Sequence, residues 1–153
     1  GLAKLNGKVA AAPQSAEGYV QRASHLAAGG LQDIALTNFD KAVELAPTKT
    51  DTLTARAAFR VEQHEYDKAI EDCNAALKIN PDSIESYSIL GDAYLAQGDF
   101  DKAVQSYSQT KRLDSNVGKA FYERAQQRRA AGDDQGADAD LEQAYAIDPS
   151  LQQ

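Results

Sequence analysis

A self-similar period of 34 residues constrains this chain more than any other feature. The stretch Ile84–Val117, IESYSILGDAYLAQGDFDKAVQSYSQTKRLDSNV, reads as two amphipathic helices with a break at Gln97-Gly98-Asp99. Its pattern recurs over residues 16–49, 50–83, 84–117 and 118–151. Alanine returns at Ala35, Ala69, Ala103 and Ala137, and a leucine or aromatic at Tyr19, Leu53, Tyr87 and Phe121. Proline closes three units, at Pro47, Pro81 and Pro149, with Ser115 standing in the third. A period of this length marks a solenoid, in which each unit buries its apolar face only against its neighbours.

Within each unit the spacing predicts a helix, a turn and a second helix. In the second unit, Leu53, Ala57 and Phe59 to Val61 lie on helical spacing. After His64-Glu65-Tyr66-Asp67, the residues Ala69, Ile70, Cys73, Ala76 and Leu77 resume the 3.6-residue period. Asn80-Pro81 then ends the second helix, because proline disfavours the helical region for the residue before it. Gly30, Gly98 and Gly132 stand at the bend, where the missing Cβ relaxes the backbone, and His64 replaces glycine in the second unit. Residues 1–15 lie outside the repeat and read as a frayed helix or linker end, with Gly7 and Pro13 interrupting the stripe Leu2, Leu5 and Val9.

Small residues recur in the first helices at Ala23, Ala57, Gly91 and Ala125, and larger ones in the second at Phe39, Cys73, Tyr107 and Leu141. Small against large is what close helix packing asks for. Together with the proline positions, this set resembles the tetratricopeptide repeat family. The third unit carries the likeness most fully, through Tyr87, Leu90, Gly91, Tyr94, Gly98, Phe100, Ala103, Tyr107 and Leu113. The resemblance covers residues 16–151 and implies an all-α, right-handed superhelix of four helix-turn-helix hairpins, eight helices in all, whose first helices line a concave groove.

The four units also act as an internal comparison of charge. Arg56 and Arg124 stand where the third unit has Leu90. Asp72 and Asp140 stand where it has Ser106, and the first unit pairs Arg22 with Asn38. Arginine in the first helix tracks an acid or amide in the second, so Arg56–Asp72 and Arg124–Asp140 are expected to be structural ion pairs, the planar guanidinium bonding a carboxylate twice.

No arrangement of residues suggests catalysis. His25 and His64 belong to different units, and there is no phosphate-binding glycine loop, HExxH or paired-cysteine metal site. Asp133-Asp134 and Asp138-x-Asp140 lack the glycine and closing glutamate of a calcium loop, and are read as helix-start acids. No cofactor or metal is therefore expected. A net charge of −7 argues against nucleic acid and anionic membrane as partners. No apolar run approaches the length of a membrane span. Cys73 has no second cysteine to pair with and falls on an inward face, which predicts a buried thiol. The chain begins with Gly1 and contains no methionine, as expected of a piece excised or processed from something longer, so a cytoplasmic or exported location stays open.

The family's groove then offers candidate contacts unit by unit: Glu17, Val20, Ser24 and Ala27; Asp51, Thr54, Ala58, Val61 and Glu62; Glu85, Ser88, Asp92 and Leu95; Lys119, Tyr122, Gln126 and Arg129. Three units are acidic and the last is basic. Val20, Val61, Leu95 and Tyr122 form a row of apolar anchors. Some family members clamp a peptide's C-terminal carboxylate with Lys and Asn, but the corresponding positions here cannot. The expectation is a non-enzymatic adaptor or scaffold whose groove takes a basic or amphipathic segment of a partner protein, charge setting orientation and on-rate. Two alternatives stand beside it. The apolar stripe of the last helix, Ala137, Leu141, Ala144, Tyr145 and Ile147, would support self-association, or the chain is the non-catalytic part of a larger enzyme.

Overall fold

The computed structural model describes residues 1–153 and contains nine α-helices, a final 3₁₀ turn and no strand. The chain divides into two units, Gly1–Ser86 and Tyr87–Gln153. No helix is long and apolar enough to cross a membrane.

The first unit opens with α1 (Leu2–Ala11), which packs on α2 (Ala16–Ala28). This segment, expected as a frayed helix or linker end, is thus a packed helix with Val9 buried and Leu2 against the first core cluster. Gly7 is accommodated inside it, and Pro13 lies beyond its end. Hairpin one is α2 with α3 (Gln32–Leu45), and hairpin two is α4 (Thr50–Glu62) with α5 (Tyr66–Ile79). Ser15 caps α2 by accepting from the Gly18 N–H. The core of this unit gathers Ala23, Leu26, Ala35, Phe39 and Phe59. Phe39 of α3 meets Phe59 of α4 at 5.1 Å between ring centroids, tying hairpin one to hairpin two.

In the second unit hairpin three comprises α6 (Ile84–Gln97, whose first turn belongs to the first unit) and α7 (Phe100–Tyr107); hairpin four comprises α8 (Ser115–Ala130) and α9 (Asp134–Ile147). Asp99, Asp114 and Asp133 cap α7, α8 and α9 through their carboxylates. Ala103, Val104, Tyr107, Val117 and Ala120 form the core, with Tyr94, Leu95, Phe121 and Ile147 packed around it. The chain after α9 turns at Asp148, whose carboxylate accepts from Ser150, into the 3₁₀ turn Pro149–Gln152.

Hairpin three departs from its siblings. The second helices α3, α5 and α9 run 14 residues, whereas α7 stops after 8. The cause lies in local side chains. Ser106, Ser108 and Thr110 donate their hydroxyls back to the carbonyls of Lys102, Val104 and Tyr107, at 2.8, 2.7 and 2.7 Å. Such back-bonding competes with the helix ladder. Leu113, in register with Ile79 and Ile147, is left 72 % exposed.

All four hairpin bends use a left-handed residue: Gly30, Gly98 and Gly132 at φ 83°, 78° and 86°, and His64 at 61°. The histidine takes a conformation that disfavours any Cβ, and its Nδ1 lies 2.7 Å from the Tyr66 hydroxyl.

Candidate functional site

The structure brings the charged residues of hairpins two and four together. Arg56 donates through Nε and Nη2 to the two oxygens of Asp72, at 3.0 and 2.8 Å. Arg124 treats Asp140 alike, at 2.9 and 2.7 Å. Both aspartates are buried. The bonds to Asp72 raise the Arg56 guanidinium above its ordinary value, with burial opposing them. A second arginine joins each pair: Arg60 Nη1 lies 2.8 Å from Asp72, and Arg128 Nη1 3.1 Å from Asp140. Sequence comparison of single positions missed these two. The signal was present, since Arg60 and Arg128 each stand four residues after the first arginine, one turn along the same face.

The residues expected to line a groove are less uniform. In the first unit Glu17, Ser24, Asp51, Ala58, Glu62 and Glu85 are exposed or half-buried, as are Val20, Ala27 and Val61. Thr54 corrects the sequence reading. It is 1 % exposed, and its hydroxyl donates to the Asp51 carbonyl, at 3.2 Å, and to the Glu85 carboxylate, at 3.4 Å. It lies on the helix flank turned inward and is closed to a partner.

In the second unit Lys119, Gln126 and Arg129 are exposed, and Ser88, Asp92, Leu95 and Tyr122 are half-buried. Asp92, expected as a groove acid, is engaged by its own unit. It accepts from the Tyr107 hydroxyl, from Asn116 Nδ2 at 3.2 Å and from Arg112 Nη1 at 2.9 Å. Arg112 also bonds Ser88 Oγ at 3.0 Å and Asp114 at 2.6 Å, and its guanidinium lies over the Tyr107 ring. Burial works against the Arg112 charge, but the bonds to Asp92 and Asp114 outweigh it and raise the group. The negative charge read at this place in the sequence is therefore neutralised by a residue outside the first helix. Arg129, the basic candidate of the last unit, pairs with Asp138.

One part of the expected face forms a recess. Ala27, Ala28, Ala55 and Ala58 wall a space of about 470 Å³ over Phe39 and Phe59, with Ser24 and Glu62 at its rim. Small side chains on α2 and α4 leave it open. No His, Cys, Asp and Glu side chains cluster as a metal site would need.

Comparison with known proteins agrees with this architecture. The sequence model of the tetratricopeptide repeat matches residues 48–116. That match and the all-helical fold identify residues 48–116 as tetratricopeptide repeats. No curated protein matches the sequence. Among solved structures, MamA 41-end from Desulfovibrio magneticus RS-1 is 21 % identical, with a TM-score of 0.72, over 97 % of this chain and 84 % of that one. PilW, a type IV pilus biogenesis factor, is 18 % identical, with a TM-score of 0.69, over 95 % of this chain and 67 % of that one. TTC0263, a tetratricopeptide protein of Thermus thermophilus, is 21 % identical, with a TM-score of 0.57, over 90 % and 77 %. At such identities the likeness shows the tetratricopeptide fold and no more.

Proposed function

We propose that this tetratricopeptide chain is a non-catalytic interaction module that takes a segment of a partner protein on the first-helix face of hairpins one and two. The observation that carries the reading is the alanine-walled recess with Glu62 at its rim. Its apolar walls suit an aliphatic or aromatic side chain, and Glu62, which forms no ion pair, favours a neighbouring lysine or arginine. A basic amphipathic segment supplies both. Seating a rigid anchor in such a pocket is how most interface energy is concentrated.

The test compares partners captured by wild type with those captured by Ala58→Trp, which fills the recess, and Glu62→Lys, which inverts its rim. Partners lost from both variants support the reading, and capture unchanged by both overturns it. Asp92 is unsuited to this test, because replacing it would break the contacts to Tyr107 and Arg112.

A second reading, association between copies, is favoured by the terminal helices. α1 carries Lys4 and Lys8 and no acid, while α9 carries no base and exposes Asp134 and Glu142, which form no ion pair. Concentration-dependent mass that falls with added salt would support it, and a salt-independent monomer would exclude it.

A further inference from the structure

Hairpin one keeps the arginine of the clamp and lacks its carboxylate. Arg22 occupies the place of Arg56 and Arg124, and Asn38 that of Asp72 and Asp140. Arg22 Nε donates to Asn38 Oδ1 at 2.8 Å, and the guanidinium lies over the Tyr19 ring, 5.3 Å from its centroid. Asn38 is buried, and its Nδ2 donates to the Ile34 carbonyl at 2.8 Å, which fixes the amide with its oxygen toward Arg22.

A neutral amide leaves the cation uncompensated. The two acids nearby are engaged by other residues: Asp40 pairs with Arg56 at 2.9 Å, and Glu44 with Lys41 at 3.1 Å. Arg22 itself forms no ion pair, so its two Nη groups have donors to offer. Arg22 lines a recess of about 360 Å³ between α2 and α3 with Tyr19, Thr37 and Lys41, and the two paired acids Asp40 and Glu44 line it too. It lies on the flank of α2 that carries Tyr19 and Arg22, apart from the flank with the candidate groove residues Val20 and Ser24.

We propose that this recess is a carboxylate-binding site, in which an external carboxylate takes from Arg22 the bonds that Asp72 takes from Arg56. Guanidinium and carboxylate match as a planar fork, and a half-buried position weakens the competition from water. Lys41 stays paired with Glu44 and so offsets the charge of that acid beside the ligand. The carboxylate comes either from a free small acid or from a Glu or Asp side chain of a partner protein.

The test is an NMR titration of ¹⁵N-labelled protein with sodium acetate, at ionic strength held constant with chloride. Parallel titrations use sodium phosphate, acetyl-Gly-Glu-Gly-amide and its Gln counterpart. Saturable shifts are expected at the Arg22 Nε–H and the backbone amides of Thr37 to Lys41. Two variants carry the control. Arg22→Leu imports the residue of hairpin three, Leu90, and Asn38→Asp supplies the missing carboxylate from within, as Asp72 does in hairpin two. Both should weaken acetate binding at least about tenfold, the loss expected for hydrogen bonds to a charged group. Binding of acetate alone assigns a free acid, and preference for the Glu peptide over the Gln peptide assigns a partner side chain. Shifts that fail to saturate, that persist undiminished in both variants, or that are stronger with phosphate than with either carboxylate overturn the assignment.

Discussion

Asp72 accepts both hydrogen bonds that Arg56 can aim at one carboxylate, and a third from Arg60, while only 4 % exposed. The three groups join α4 to α5 from inside hairpin two. Removing the acid alone strands the Arg60 guanidinium and leaves Arg56 with only Asp40. Asp72→Ala is expected to lose about 3–5 kcal/mol of stability, as broken buried ion pairs do. Hairpin three holds the same positions with Leu90, Tyr94 and Ser106. The triple change Arg56→Leu, Arg60→Tyr and Asp72→Ser should therefore recover most of the loss. Urea denaturation of the three proteins checks this, and a single mutant as stable as wild type would show that the clamp does not hold the hairpin.

Gly91 lies against the ring of Tyr107 so closely that a Cβ there would stand 2.3–2.8 Å from three ring atoms. The ring cannot retreat, being 2 % exposed and hydrogen-bonded to Asp92. Gly91→Ala should cost about 1–3 kcal/mol through overpacking. The matching positions of hairpin four are Ala125 and Leu141. Adding Tyr107→Leu to Gly91→Ala should then cost less than the two single effects summed, and a double-mutant cycle measures the coupling. Additive losses would mean that the ring and the glycine do not constrain each other.

These two pairs show what is legible in the sequence. The small and large positions, the proline stops and the arginine–aspartate covariation are set by packing between consecutive helices, and packing repeats with the period. The features that escaped it belong to single hairpins. The end of α7 depends on the hydroxyls of Ser106, Ser108 and Thr110, which together have no counterpart in the other units. Neutralisation of Asp92 depends on Arg112, which reaches back from the chain after α7. Thr54 reads as a surface residue by type, yet the Glu85 carboxylate lies over it. Period reveals what is shared, and a binding face is made by what differs.

His64 holds φ 61° at a bend where the other hairpins use glycine. A residue with a Cβ gives up about 1–2 kcal/mol in that conformation, and glycine returns part of it as lost chain entropy. The bond between His64 and Tyr66 offsets a further part. His64→Gly should gain about 0.5–1 kcal/mol, raising Tm by roughly 2–4 °C. His64→Ala, which loses the bond and keeps the Cβ, should lower it. Thermal unfolding of both variants decides whether the bend is strained.

Cys73 gives the chain a pH-dependent stability of known sign. Burial, followed by the charges of Asp72 and Glu85, pushes its thiol from 9.0 up to about 12. The folded state therefore holds its proton where the unfolded state has released it. The stability this contributes is complete below the unfolded value and is lost as pH rises from 9.0 toward 12. Other groups titrate over the same range, so the readout is a difference between proteins. Between pH 9 and 11 wild type should lose stability faster than Cys73→Ala, by up to about 1 kcal/mol per pH unit. The same burial predicts that a thiol reagent at pH 8 modifies Cys73 only at the rate at which hairpin two opens. Urea below the unfolding transition should accelerate labelling in proportion to that opening, whereas rapid labelling of the native protein would place the thiol at the surface.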